Sequence, residues 1–214
     1  MEIGNYFHSL TLIIENFYYN EHTMNDEKRN AEKTKVDCNK PHYSEPEPNE
    51  SLYMTSLSGN RLVPKIHGRI AFRGCIDTLE AEFIEAQVLA SQLNEPAICS
   101  KLEEILQFLR TLMSAEVMEA PLPPFFLFGI DAEEIRRRSH ETAGKSPPLP
   151  SYTQGPLAAR LNTLRTKVRE AELLAVRIFG SRENSPETEP RDDIIQALNR
   201  LSSALWWLYC DYTG

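Results

Sequence analysis

Apolar residues in CIDTLEAEFIEAQVLASQL recur at alternating spacings of three and four, at Ile76, Leu79, Phe83, Ala86, Ala90 and Leu93. That period lines one stripe of a helix and predicts a core-facing seam. Asn94-Glu95-Pro96 interrupts it, since proline has no N–H for the helical ladder and its ring clashes with the preceding turn. The pattern resumes in AICSKLEEILQFLRTLMSAEVM, where Ile98, Leu102, Ile105, Leu109, Leu112 and Met113 share a side, and it ends at Pro121, Pro123 and Pro124. A short amphipathic piece, DAEEIRRRSH, begins on an aspartate suited to cap a helix. After the loop-like KSPPLPSYTQGP, a long helix is expected through LNTLRTKVREAELLAVRIF, with Leu161, Leu164, Val168, Ala171 and Ala175 facing inward. SRENSPETEPRDD is the last break, and DIIQALNRLSSALWWLYCDY closes the chain as a helix. No stretch shows the strict alternation of a half-buried strand. Four long helices and one short one predict an all-α, up-and-down helical bundle.

Upstream the pattern fails. From Glu21 to Glu50 there is little to bury, and NKPHYSEPEPNES sets three prolines among acidic residues. Residues 1–51 are therefore expected to be a flexible, Pro- and acid-rich segment, with the bundle domain over 52–214. The apolar patch from Leu10 to Phe17 reads either as a short docking segment or, with Met24 as the functional start, as upstream sequence. It has neither a basic n-region nor a small-residue cleavage site, so it is a poor signal peptide. No apolar run reaches the length of a membrane span. Cys38, Cys75, Cys99 and Cys210 are scattered with no C-x-x-C pair, which reads as reduced thiols in a cytoplasmic protein.

Hydrophobic residues at 41 % and charged residues at 25 % are ordinary for a soluble globular chain. The net charge of −8 argues against general nucleic-acid binding, which needs a broad basic surface. Any polyanion must then be met by a local cluster, and the sequence offers two. On a helix, Arg165, Arg169 and Glu172 fall within about 60° of one another beside the apolar stripe. They read either as a solvated flank with an Arg169–Glu172 ion pair or as a grip for carboxylate or phosphate. Arg61, Lys65, His67, Arg69 and Arg73 crowd one Gly- and Pro-punctuated stretch, either a solvated basic loop or a wrap for polyphosphate.

Two further positions border these clusters. Asp77, read as the start of the first long helix, is either a first-turn acid or the partner of one arginine. Asn199 and Arg200 sit mid-helix, where asparagine is a weak helix former, so Asn199 is expected to bond another helix or a ligand. The chain has no P-loop, no nucleophile elbow and no H-E-x-x-H or paired C-x-x-C.

LNTLRTKVREAELLAVRIF followed by DIIQALNRLSSAL resembles the C-terminal helices of ATP:cob(I)alamin adenosyltransferases, specifically the ethanolamine-utilization branch. SLSGNRLVPKIHGRIAFRGCIDTLEAE and RRRSH resemble the same branch, so the likeness runs over about residues 52–210. The resemblance implies transfer of the 5′-deoxyadenosyl group of ATP to the cobalt of cob(I)alamin, with Mg-ATP and the corrinoid as substrates. It further implies that Arg165 pairs with Asp77, that Arg169 contacts the triphosphate, and that Glu172 lies near Mg²⁺ and ribose. Asn199 is implied to bond the nucleotide, and Arg61, Lys65, Arg69 and Arg73 to form the phosphate-binding segment. A homo-oligomer with an intersubunit site is implied too. A flavoprotein reductase and a B12-dependent lyase are the expected protein partners, in the cytoplasm or at a bacterial microcompartment; nucleic acid and membrane are not expected.

The sequence departs from the family pattern at three places. Pro147 stands where related enzymes carry a phenylalanine against the corrinoid's lower face, leaving Leu149 or Tyr152 as substitutes. Ser203 replaces a frequent aspartate. An H-x₁₁-C-C-x-x-C metal stretch retains only His22 and Cys38, with Thr34-Lys35 between them, so no Fe or Zn site is expected. The rival expectation is a non-catalytic helical bundle, a corrinoid carrier or microcompartment adaptor.

Overall fold

The computed structural model describes residues 50–144, 149–180 and 190–214, all within one compact unit, Pro46–Gly214. The expectations for residues 1–49, including Met24, His22 and Cys38, and for Pro147 lie outside the described residues. Among the described residues five α-helices carry the fold: α1 Gly68–Gln92, α2 Pro96–Val117, α3 Ala132–Gly144, α4 Pro156–Phe179 and α5 Asp192–Thr213. α1 packs on α2 and α4, α4 on α5, and α3 on α5. This is the expected all-α bundle. No helix among the described residues is long and apolar enough to cross a membrane.

The predicted seams form the core. Ile76, Leu79, Phe83, Ala86 and Ala90 are buried on α1, and Leu161, Leu164, Val168, Ala171 and Ala175 are fully buried on α4. Phe72 and Phe179 meet edge to face, with ring centroids 5.1 Å apart, and tie the start of α1 to the end of α4. A β-carbon on Gly68 would lie 3.1 Å from Cγ1 of Ile178, so the small residue permits the close approach there. Leu93 departs from the expected seam: α1 stops at Gln92, and Leu93 lies in the turn, 42 % exposed. Asn94 follows at φ 57°, a left-handed conformation asparagine tolerates, and Pro96 opens α2.

Other helix ends follow from local chemistry. Asp131 Oδ1 accepts the Glu134 N–H at 2.9 Å, as the sequence leads one to expect. Before α4, a capping box holds a short 3₁₀ turn: Ser151 accepts from Thr153 N–H, and Gln154 accepts from Ser151 N–H at 2.8 Å. The described cysteines Cys75, Cys99 and Cys210 are free thiols, and burial pushes Cys75 and Cys210 above the ordinary thiol range.

The basic stretch is not a loop. β1 (Met54–Ser58) and β2 (Arg61–Pro64) pair antiparallel about a turn in which Gly59 takes φ 52°. Leu57 and Val63 point inward from this hairpin. A second small hairpin, β3 (Phe126–Leu127) with β4 (Ile130–Asp131), turns through Phe128 and Gly129, both at positive φ. Such a two-residue turn matches the right-handed twist of its strands. α1 begins at Gly68, nine residues before Asp77, capped by His67 Nδ1 accepting from Arg69 N–H at 3.2 Å. Asp77 therefore stands in the third turn of the helix, not at its start.

Candidate functional site

α4 and α5 run together with Arg165, Arg169 and Glu172 on one helix and Asn199, Ser202, Ser203 and Trp206 on the other. Between them and α3 opens a cavity of about 400 Å³ lined by Arg165, Arg169, Ser202, Ser203, Trp206 and Ser139. Leu149 and Pro150, leading into α4, complete its rim. Two guanidinium groups face this space, and its lining holds no carboxylate.

Arg165 is half-buried. Its Nε and Nη2 donate to Asn162 Oδ1 at 3.1 and 3.0 Å, and its guanidinium carbon lies 5.4 Å from the Trp206 ring centre. Burial, then the charge on Arg169, draws the Arg165 guanidinium below its ordinary value. Arg169 is exposed and makes no hydrogen bond or ion pair to the described residues. Asn199 Nδ2 donates to Glu172 Oε1 at 2.8 Å, so Glu172 is held by the neighbouring helix and not by Arg169. Ser203 Oγ, where a carboxylate would suit the wider pattern, donates to the Asn199 carbonyl at 3.3 Å. Arg200 Nε is buried without a partner among the described residues.

Within one chain, two of the expected arrangements are not made. Asp77 and Arg165 do not pair within the chain. Asp77 is exposed on α1, while Arg165 turns toward α5 and takes its contacts from Asn162 and Trp206.

Nor is the basic stretch one continuous phosphate wrap. Arg69 donates through Nε to Glu116 Oε1 at 2.5 Å, through Nη2 to the Glu116 carbonyl at 2.8 Å, and through Nη1 to Glu119. Arg73 donates through Nε to the other oxygen of Glu116 at 2.6 Å and through Nη1 to the Leu57 carbonyl at 2.7 Å. Burial opposes the charge on Arg69, but its bonds to Glu119 and Glu116 outweigh that and raise its pKa. Arg69 thus ties α1 to the end of α2, and Arg73 links the same glutamate to the first hairpin. Only Arg61 and Lys65 stay exposed on the hairpin side.

Reading the sequence missed Asn162, Trp206 and Glu116. Glu116 carried a usable signal: it stands four residues after Leu112 and seven after Leu109, on the buried seam, and a seam acid needs cationic partners. Asn162 lies three residues before Arg165 on the same helical face. Trp206 was masked by its place in the apolar run WWLY.

The sequence profile of the cobalamin adenosyltransferase family matches residues 53–212. The chain belongs to that family. It is 33 % identical over 156 residues to the corrinoid adenosyltransferase EutT of Salmonella typhimurium (strain LT2), and equally so to EutT of Escherichia coli (strain K12). Each alignment takes in 72 % of this chain and 56 % of the relative, so the chain spans little more than half the length of these curated relatives. In fold it is similar to a PduO-type ATP:corrinoid adenosyltransferase variant from Lactobacillus reuteri complexed with cobalamin and ATP. That likeness has TM-score 0.57 and 19 % identity, covering 76 % of this chain and 89 % of the other. Another variant of the PduO-type enzyme, complexed with ATP, gives TM-score 0.53 at 20 % identity, covering 76 % and 90 %. The EutT relatives set the chain in the EutT-type branch of that family, and the PduO-type structures agree with it in fold.

Proposed function

We propose that this protein transfers the 5′-deoxyadenosyl group of ATP to the cobalt of a reduced corrinoid, releasing triphosphate. The observation that supports this most is a cavity with two guanidinium groups and no carboxylate in its lining. Cob(I)alamin supplies the nucleophile: cobalt donates its electron pair to C5′, and the C5′–O bond breaks with its electrons leaving on triphosphate. The protein then needs no nucleophile or base of its own. It has to orient C5′ and offset the charge developing on the departing anion. Arg169, without a partner among the described residues, is the triphosphate ligand in this reading, with Arg165 beside it. Arg61 and Lys65 reach phosphate from the hairpin, and Arg73 ties that hairpin to the Glu116 that Arg69 also holds.

Glu172 fits a supporting role toward Mg²⁺. Its bond to Asn199 uses Oε1, and Mg²⁺ commonly takes one or two carboxylates while keeping water and phosphate oxygens. Asn199 then orients that carboxylate as well as meeting the nucleotide. Leu149, 86 % exposed at the cavity rim, and Tyr152, 91 % exposed beyond it, are placed to lie against the apolar macrocycle.

A homo-oligomer with the site between subunits accounts for what one chain leaves open. Asp77 shares a stripe of α1 with the exposed Ile84 and Val88, and Arg169 shares a stripe of α4 with the exposed Leu173 and Val176. Asp77 would then meet Arg165 from a neighbouring subunit. A flavoprotein reductase, a B12-dependent lyase and a cytoplasmic or microcompartment setting belong to the same reading.

The test is to mix the protein with Mg-ATP and chemically reduced cobalamin and follow loss of the Co(I) absorbance. Adenosylcobalamin formed above background is expected, and Arg169→Ala should raise the KM for ATP at least tenfold. A charge-assisted hydrogen bond of roughly 1.5–3 kcal/mol gives that scale. No product above background leaves the carrier or adaptor reading in its place.

A further inference from the structure

We propose that Trp206 is the residue that positions Arg165, holding its guanidinium over the cavity by the face of the indole. This rests on the reading of the cavity as the triphosphate site. Arg165 is fixed on one edge by Asn162 Oδ1, which takes both Nε and Nη2. That leaves Nη1 with no hydrogen bond to the described residues, and the plane of the group is still free to swing about the Asn162 edge. The Trp206 ring, 5.4 Å from the guanidinium carbon and itself lining the cavity, removes that freedom.

The choice of an aromatic matters chemically. A carboxylate at this place would hold Arg165 firmly and neutralise it, as Glu116 does for Arg69. An indole attracts the cation through its negative face without neutralising it, so the charge stays available to groups from outside the chain, a neighbouring subunit's acid and an incoming anion. Trp206 is in turn held from behind. It stacks on the fully buried Tyr209 with ring centres 5.4 Å apart and planes 18° apart. Tyr209 Oη donates to Gln154 Oε1 at 2.7 Å, the same oxygen that accepts from Ser151 N–H. The arginine and the chain segment bearing Leu149 and Pro150 are thereby referred to one aromatic stack.

The test is a double-mutant cycle on binding of inorganic tripolyphosphate, read by isothermal titration calorimetry on the full chain. Trp206→Leu is expected to weaken binding roughly three- to tenfold, the scale of a partly buried cation–π contact, and Trp206→Phe about twofold at most. In an Arg165→Ala background, Trp206→Leu should add nothing. Equal weakening in both backgrounds, weakening in neither, or no saturable binding to the wild type overturns the proposal.

A second readout needs no ligand. The chain has two tryptophans, so Trp207→Phe leaves Trp206 as the sole tryptophan, and removing the cation with Arg165→Ala should change its emission under excitation that spares tyrosine. Unchanged emission overturns the contact. Neither readout depends on turnover, so a failed transfer assay and a failed positioning role are told apart.

Discussion

Arg69 and Arg165 are both arginines drawn out of solvent, and their partners give them opposite fates. Arg69 finds two carboxylates and its pKa rises; Arg165 finds an amide oxygen and an indole and its pKa falls. The first is a structural cation whose charge is met inside the fold. The second carries charge that the chain has left unanswered, and unanswered buried charge is where a ligand or a second subunit belongs. Asn199 belongs beside it on the same logic, as the group that aims a carboxylate. Asn199→Ala removes the donor to Glu172 without touching either arginine. It is expected to raise the KM for ATP about tenfold, the order of one hydrogen bond to a charged group, with the thermal midpoint little changed. Steady-state kinetics beside a melting curve check this. An unchanged KM would mean that Glu172 is aimed by something else.

At the scale of elements, the start of α5 is clamped to the linker between α2 and α3. Asp193 accepts from Arg191 Nε at 2.9 Å and Nη2 at 3.0 Å, and from Leu122 N–H at 2.9 Å, while Arg191 also donates to the Ala120 carbonyl at 2.9 Å. Burial opposes ionisation of Asp193, but the bonds from Arg191 and Leu122 outweigh it and hold the carboxyl below its usual value. The stability this group contributes is therefore present above the unfolded aspartate pKa of about 3.9, and is lost as pH falls through the lower folded value. Asp193→Asn should cost about 1–3 kcal/mol in urea unfolding at pH 7, with the gap narrowing as pH falls below the unfolded aspartate value. A gap of constant size would sink the assignment. The helices themselves were legible because their seams repeat over about four turns, as Ile76 to Ala90 and Leu161 to Ala175 do. The first hairpin was not, because Leu57 and Val63 are its only fully inward side chains, too few to show a period of two. That omission carried others with it. Arg69 and Arg73 looked like loop cations because the start of α1 at Gly68 went unseen, and Asp77 looked like a first-turn acid for the same reason. In the candidate site, Arg165, Arg169, Glu172 and Asn199 were legible as polar residues beside a buried stripe. What spacing could not give was who faces whom across α4 and α5.

For the molecule as a whole, the exposed apolar stripes on α1 and α4 lie beside the two charged residues that the chain does not pair with each other, Asp77 and Arg169's neighbour Arg165. Leu173→Glu places a charge in the α4 stripe at an exposed position that no core contact depends on. It is expected to shift the protein from oligomer to monomer in sedimentation while leaving helical content intact. Transfer activity should fall with it, in keeping with a site completed between subunits. A wild type that sediments as a monomer would overturn that reading. One consequence of the buried Glu116 reaches across the molecule. Ions in solution screen charges over about 8–10 Å of water, but they do not reach a fully buried carboxylate. In the proposed reading, raising the ionic strength weakens the hold of exposed Arg61 and Lys65 on an anion, while Arg73 keeps its bonds to Glu116 and to the strand pair that carries them. Salt can strip the grip without moving the hand.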